Sequence, residues 1–437
     1  MLKFIKIIIG IYIISVCISC DKNRYRGREE YKVTGQNEVL IYYACGYNDL
    51  RDYIAKDIKE LTSNYLPTAV DGDNILLVYS HLSLNRHNSK TKTEPTLTRV
   101  YRDHKTKKII KDTIRTFSNE TISASAKTFN EVLSYIENIY PSSKHTYGLI
   151  FSSHATGWLP SGYYSNSSGY ENSIARTIRH SLKEEGLTDP IPVPYVEPIF
   201  DPGSPLVKSI GVDKIDKLSY EMTIKEFAEA IPINLEYIIF DMCLMGGIEI
   251  AYELKDKCKY IVASQTEVLA DGHDYTKIGE NLLYSKANPL KVSKDFFEYY
   301  DSQTGVSRSA TISLIDCSKI EDLALNCKNL FEKYRDNLGH IDYWEVQKYY
   351  RRNYHWFYDL KSVVDKLGAN DNELALFNEA LNKCIVYKAA TDNFLDIKIE
   401  SYSGLSMYLP CHGGSYLNNY YQDLKWNIDT ELVPHTD

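Results

Sequence analysis

Tyr237-Ile-Ile-Phe-Asp-Met-Cys-Leu-Met-Gly-Gly247, continuing into Ile248-Glu-Ile-Ala-Tyr-Glu-Leu254, is the stretch that decides the fold. Tyr237 to Phe240 is a short apolar run of the kind that forms a buried strand. It ends at the polar Asp241 and passes Cys243, after which the spacing turns helical, with Ile248, Ala251, Tyr252 and Leu254 on one face. A thiol between a buried strand and a helix occupies the carboxyl edge of an α/β sheet, where such folds place their chemistry. The amides opening the helix favour a thiolate there. A buried structural cysteine is the plain alternative, since Cys is among the most buried residue types.

Tyr147-Gly-Leu-Ile-Phe-Ser-Ser-His-Ala-Thr-Gly-Trp158 has the same layout. An apolar strand, Leu149 to Phe151, runs into small polar residues, then His154, then a glycine turn closed by an aromatic. Two parallel strands of one sheet, each ending in a reactive side chain, would bring His154 and Cys243 together. A cysteine nucleophile needs such a partner near in space rather than in sequence.

His154-Ala-Thr-Gly-Trp158 and Phe240-Asp-Met-Cys-Leu-Met245 resemble the two signature segments of the clostripain-type cysteine peptidases, clan CD relatives of caspases, legumains and gingipains. Tyr220-Glu-Met-Thr-Ile-Lys-Glu-Phe227, Glu249 to Leu254, Ile261 to Glu267 and Ala270-Asp-Gly272 extend the likeness, which spans roughly residues 38 to 415. The resemblance implies a caspase-like three-layer α/β/α sandwich with a mostly parallel central sheet, plus a C-terminal helical subdomain. It implies Cys243 as nucleophile and His154 as acid–base partner. It also implies an oxyanion site from the backbone amides of Cys243 and Ala155, a position often Gly in the clan. Asp241 and Asp271 match the family's acidic residues that accept Arg or Lys at the cleaved position. Asp241 as a strand-end carboxylate capping local amides is the alternative. An activation cut at a basic residue between His and Cys also occurs in the family; Arg176, Arg179, Lys183, Lys208, Lys214 and Lys217 are available, with Lys208 to Lys217 the weaker-structured target. No cofactor is expected. Some members depend on calcium, but no EF-hand-like loop is present here.

The 437 residues carry 50 basic and 58 acidic side chains, a net charge of -8 that argues against nucleic acid as a partner. The 37 tyrosines suit half-buried sheet and helix faces better than a glycan surface. Residues 1–20 form a signal segment, with Lys3 and Lys6 before the apolar Ile7 to Val16. Its Ser19-Cys20 ending resembles a lipoprotein box in which Cys20 would carry the lipid, although Cys17 stands where such boxes usually have Leu. An ordinary cleaved signal is the alternative. Residues 21–36 form a polar tether, 37–300 the peptidase core with a long loop over 159–220, and 301–437 a helical part with a returning strand. The expected protein is exported, anchored by lipid on the periplasmic or cell-surface side, monomeric, and acts on peptides containing Arg or Lys. The runner-up is a non-catalytic surface lipoprotein binding peptide or glycan on the same scaffold; retention of both His154 and Cys243 weighs against it. The cysteines beyond the signal (Cys45, Cys243, Cys258, Cys317, Cys327, Cys384 and Cys411) show no zinc-type spacing and no disulfide framework.

Along the chain, strands are expected at 38–45, 74–80, 97–101, 108–115, 149–151, 237–240, 260–263, 310–315 and 405–409. Helices are expected at 50–66, with Asn48 or Asp49 as cap, and at 123–140, 173–185, 320–337, 343–367 and 372–388. His81 and His87 are expected at the surface. Cys411-His412 is a weak rival dyad, because adjacent residues rarely turn thiol and imidazole toward each other. There is no phosphate loop, no HExxH helix and no GxSxG elbow.

Overall fold

A computed structural model describes residues 25–27, 37–70, 72–85, 90–163, 187, 193–194, 213–215, 218–350 and 356–434. The signal segment with Cys20, the helix expected at 173–185 and His87 lie outside the described residues. So do all the candidate cleavage positions except Lys214.

The centre is a sheet of ten strands: β1 Tyr25–Gly27, β2 Asn37–Gly46, β3 Ile75–Leu82, β4 Thr96–Arg102, β5 Ile109–Thr116, β6 His145–Ser152, β7 Leu235–Asp241, β8 Cys258–Ala263, β9 Thr311–Asp316 and β10 Ile385–Ala390. Their spatial order is β1-β10-β9-β8-β7-β6-β2-β3-β4-β5. The middle five, β3-β2-β6-β7-β8, are parallel neighbours. Antiparallel strands extend the sheet at both margins. The parallel strands are apolar over nearly their whole length because both faces are covered, as parallel sheets require.

Helices α1 Arg51–Leu61, α5 Tyr275–Leu283 and α6 Pro289–Asp301 pack together on one face. The other face carries α2 Ala126–Ile139, α3 Ile224–Glu229, α4 Ile248–Glu253, α7 Ile320–Lys333 and α8 Asp371–Cys384. The result is the α/β/α sandwich. Alternation along a strand sends neighbours to opposite layers. Tyr43 and Phe151 stack at 4.9 Å and meet Phe129 of α2, whereas Tyr42 meets Tyr275 of α5 edge-on at 5.4 Å. The tyrosines of β2, β3, β6 and β7 are buried, as the sheet-filling reading expects.

Several expectations need correction. The helix at 343–367 is not continuous: a 3-10 turn at Tyr343–Glu345 is followed by a two-residue strand, Tyr358–Asp359, and a short helix, Leu360–Val364, whose cap is Asp359. The helix at 372–388 stops at Cys384, because Ile385 and Val386 begin β10, where β-branched side chains fit the pleat. The late strand shrinks to Ser406–Met407, paired with Tyr358–Asp359 rather than with the main sheet. His81 is not at the surface but buried, its Nδ1 2.8 Å from the Ser123 hydroxyl. Neither Asn48 nor Asp49 caps α1, whose N-cap is Leu50 without a side-chain bond. Asn48 instead locks the turn, accepting from Leu50 N and donating to Cys45 O.

Candidate active site

β6 and β7 lie side by side and parallel, with Ser152 registered against Asp241. His154 and Cys243 each follow two residues beyond that pair, so imidazole and thiol leave adjacent strands at the same carboxyl rim. The loops that carry them also press on each other. Gly157 has φ +65, and a Cβ there would come within 2.8 Å of Leu244 O. Leu244 itself has φ +62, a left-handed conformation rare for a branched side chain. Such a residue costs on the order of 1–3 kcal/mol and persists only where its surroundings over-determine it. Here the support is a hydrogen bond from Leu244 N to Thr266 O at 2.9 Å, with Gly246 N donating to Ser264 O at 2.8 Å. The turn after the thiol is thereby clamped to the loop after β8.

The sulfur is completely buried. Cys243 Sγ accepts from Val268 N at 3.1 Å and lies 3.8 Å from Val268 O. His154 is buried as well. Its Nε2 stands 2.8 Å from Asp49 Oδ1, and its Nδ1 has no hydrogen-bond partner among the described residues. Burial works to raise the Asp49 carboxyl, but the charge and hydrogen bond of His154 outweigh it, and Lys214 adds to them, bringing it to about 2.

Asp241 and Asp271 sit in different settings. Asp241 is fully buried beneath the rim, accepting from Ser152 Oγ and Tyr275 OH, each at 3.0 Å. Asp271 is exposed on the loop before α5 and pairs with Lys56 at 3.1 Å. Both charges face Tyr300, whose hydroxyl donates to Gly272 O; burial first, then the two carboxylates, push its ionisation well up. Ala155 is buried in the cleft beside His154. The rival pair is not a dyad: Cys411 Sγ and His412 Nε2 both point to Ile341 O, at 3.9 and 2.9 Å.

The segment between the two reactive loops forms one wall of the site. Asp213, fully buried, takes Ser123 N and Ala124 N ahead of α2. Lys214 N donates to Tyr47 O at 2.8 Å. Glu221 accepts from Gly162 N at 2.7 Å, and burial pushes its carboxyl up to about 7. Tyr220 to Thr223, His154 to Gly157, Met242 and Met245 line a cleft of ≈ 70 Å³. Asp241 and Asp271 are not among its lining residues. Sequence reasoning missed Asp49, Asp213 and Glu221, which act on residues far from them along the chain.

Among the described residues no three His, Cys, Asp or Glu side chains are grouped to hold a metal ion. No disulfide joins the described cysteines. No helix among them is long and apolar enough to cross a membrane.

The sequence model of the clostripain family matches residues 42–174 and 201–433. Among curated protein sequences none matches the chain. A solved inactive zymogen protease from Parabacteroides distasonis is 25% identical, with a TM-score of 0.67 over 92% of this chain and 99% of that one. A secreted cysteine protease from Bacteroides thetaiotaomicron, solved with an irreversible peptide inhibitor, has a TM-score of 0.69 over 91% of this chain and 99% of that one. At 19% identity the second likeness concerns the fold alone.

Proposed function

The chain belongs to the clostripain family of cysteine peptidases, and from that premise we propose that it cleaves peptide bonds after Arg or Lys with Cys243 as nucleophile and His154 as acid–base partner. The observation that carries this reading is the β6–β7 register, which sends the two side chains off one rim with their loops in contact. The Cys243 thiol gives its proton to the imidazole as sulfur attacks the scissile carbonyl carbon. The tetrahedral oxyanion takes the amides of Cys243 and Ala155. The C–N bond then breaks, and the imidazolium proton passes to the departing amine, leaving a thioester. Water attacks the thioester, the imidazole takes a proton from it, and that proton returns to sulfur as the acid leaves.

Basic side chains at the cleaved position would be met by Asp241 from below and Asp271 from the rim, as charge complementarity demands. The burial of both reactive groups supports a precursor state that opens by self-processing between His154 and Cys243. Lys214, half-buried in the wall strand Asp213–Ile215, is the described candidate for the cut. Export as a monomer, with Cys20 as the lipid anchor on the periplasmic or cell-surface side, completes the proposal.

A peptide-library digest with the wild type beside Cys243→Ala tests it. Products ending in Arg or Lys are expected from the wild type alone. Termini without a basic residue would sink the specificity, and equal digestion by the variant would sink the nucleophile.

A further inference from the structure

We infer that Asp49 is the positioning residue of the His154–Cys243 pair, orienting the imidazole through Nε2 so that Nδ1 is the nitrogen that exchanges protons with sulfur and leaving amine. The inference rests on the proposed role of His154 and adds a third member to it.

Asp49 belongs to the turn between β2 and α1, held by the bonds of Asn48 to Cys45 O and Leu50 N. The strand that ends there, β2, is the neighbour of β6 on the side away from β7. His154 therefore lies between the loop that carries Asp49 and the loop that carries Cys243. A carboxylate can only accept, so at 2.8 Å the Nε2 atom of His154 must hold a hydrogen. In the neutral ring this leaves the lone pair on Nδ1, the buried nitrogen without a partner among the described residues. An unmet buried nitrogen in an otherwise bonded histidine is costly, and its persistence suits a group kept for a transient partner. The Asp49 side chain is 15% exposed and that of His154 1%, so water screens the contact weakly. The neighbouring Asp52, by contrast, is exposed and among the described residues pairs only with Arg51, and serves as the control.

The test uses Asp49→Asn, which keeps shape, with Asp49→Ala and Asp52→Asn alongside. An asparagine amide can donate to Nε2 and so favour the opposite tautomer. The expected result is a fall of about 10²- to 10⁴-fold in kcat for both Asp49 variants, with KM within about threefold, by analogy with the orienting carboxylates of other triads. In the neutral ring, nitrogen-15 NMR of His154, assigned by comparison with His154→Gln, should show Nε2–H in the wild type and Nδ1–H gaining in Asp49→Asn. Asp52→Asn should match the wild type. A merely structural Asp49 would lower the unfolding temperature and move neither readout. A folded Asp49→Asn with kcat within threefold of the wild type, or with an unchanged tautomer, overturns the inference while leaving the dyad standing. Activity surviving in His154→Ala would instead overturn the underlying reading.

Discussion

The same strands present two unlike faces beneath the active rim. Toward α2 and α3, Tyr43, Phe151 and Phe240 join Phe129 and Phe227 in a run of ring contacts between 4.9 and 5.7 Å. One residue away along each strand, toward α1 and α5, stand Tyr42, Ser152 and Asp241 with Tyr275 and the buried Asp57. The aromatic face is what a sheet needs for stability: large apolar area and favourable ring geometry. The other face buries two carboxylates among hydroxyls, an arrangement that apolar residues of similar volume would match or better in stability. Under the proposed function this polar layer carries Asp241 toward the substrate, and the contrast can be broken experimentally.

The largest expected effect is at Asp241. Asp241→Asn keeps its bonds from Ser152 and Tyr275 but loses the charge, so kcat/KM on Arg and Lys substrates should fall by about 10²-fold or more, as for loss of a buried charge-pair partner. Stability should change by no more than about 1–2 kcal/mol. A variant that unfolds with activity per folded molecule intact would reverse the contrast. Next comes Phe151→Ala on the opposite face, where chemical denaturation should reveal a loss of about 3–5 kcal/mol. Turnover per folded molecule should stay close to that of the wild type.

A third effect concerns glutamates away from both faces. Glu38, beside Tyr237, is pushed up to about 8, and Glu249, beside Tyr408 N and Tyr421 OH, to about 7, each mainly by burial. The folded protein thus holds protons that the unfolded chain releases near 4.5. Their contribution is fully present below about 4.5 and is lost as pH rises through about 7 and about 8. The unfolding temperature should fall between about pH 4.5 and about pH 8, and Glu249→Gln should flatten the part of that slope below about pH 7; an unchanged slope would contradict the assignment. The smallest effect is at Asp271. Asp271→Ala should weaken cleavage at basic residues by about tenfold, within the range of an exposed charged contact. It should leave stability within about 0.5 kcal/mol, because its partner Lys56 is a surface residue. Unaltered selectivity would remove Asp271 from the substrate pocket.

What could be read in advance follows the same physics. The five parallel strands were legible because burial on both faces demands continuous apolar runs, and β6 and β7 each end in a polar step before a reactive side chain. The segment from Tyr343 to Leu367 misled because its aromatic spacing mimics a helix. Those rings scatter: Phe357 packs on Trp158, whose Nε1 donates to Trp356 O at 3.2 Å, Tyr343 meets His412, Tyr349 meets Tyr402, and Trp344 is exposed. Ile385 to Lys388, most of the strand Ile385–Ala390, was absorbed into the helix before it because no glycine or proline separates the two. His81 looked exposed since its partners, Ser123 and Asp213, are distant in sequence. Asp49 looked like a helix cap for a similar reason: 105 residues separate it from His154, and no local pattern encodes that meeting.

The seam between β6 and β7 has a consequence of its own. These strands are hydrogen-bonded neighbours, yet along the chain they are joined through the long insertion, and no disulfide links the described cysteines. Were the insertion cut as proposed, the folded molecule would hold together through its sheet, but unfolding would release two separate pieces. Regaining the structure would then become a bimolecular event, dependent on concentration and on late, non-local strand pairing. A matured enzyme of this design would be a one-way product, durable through its slow rate of coming apart rather than through any ability to reassemble.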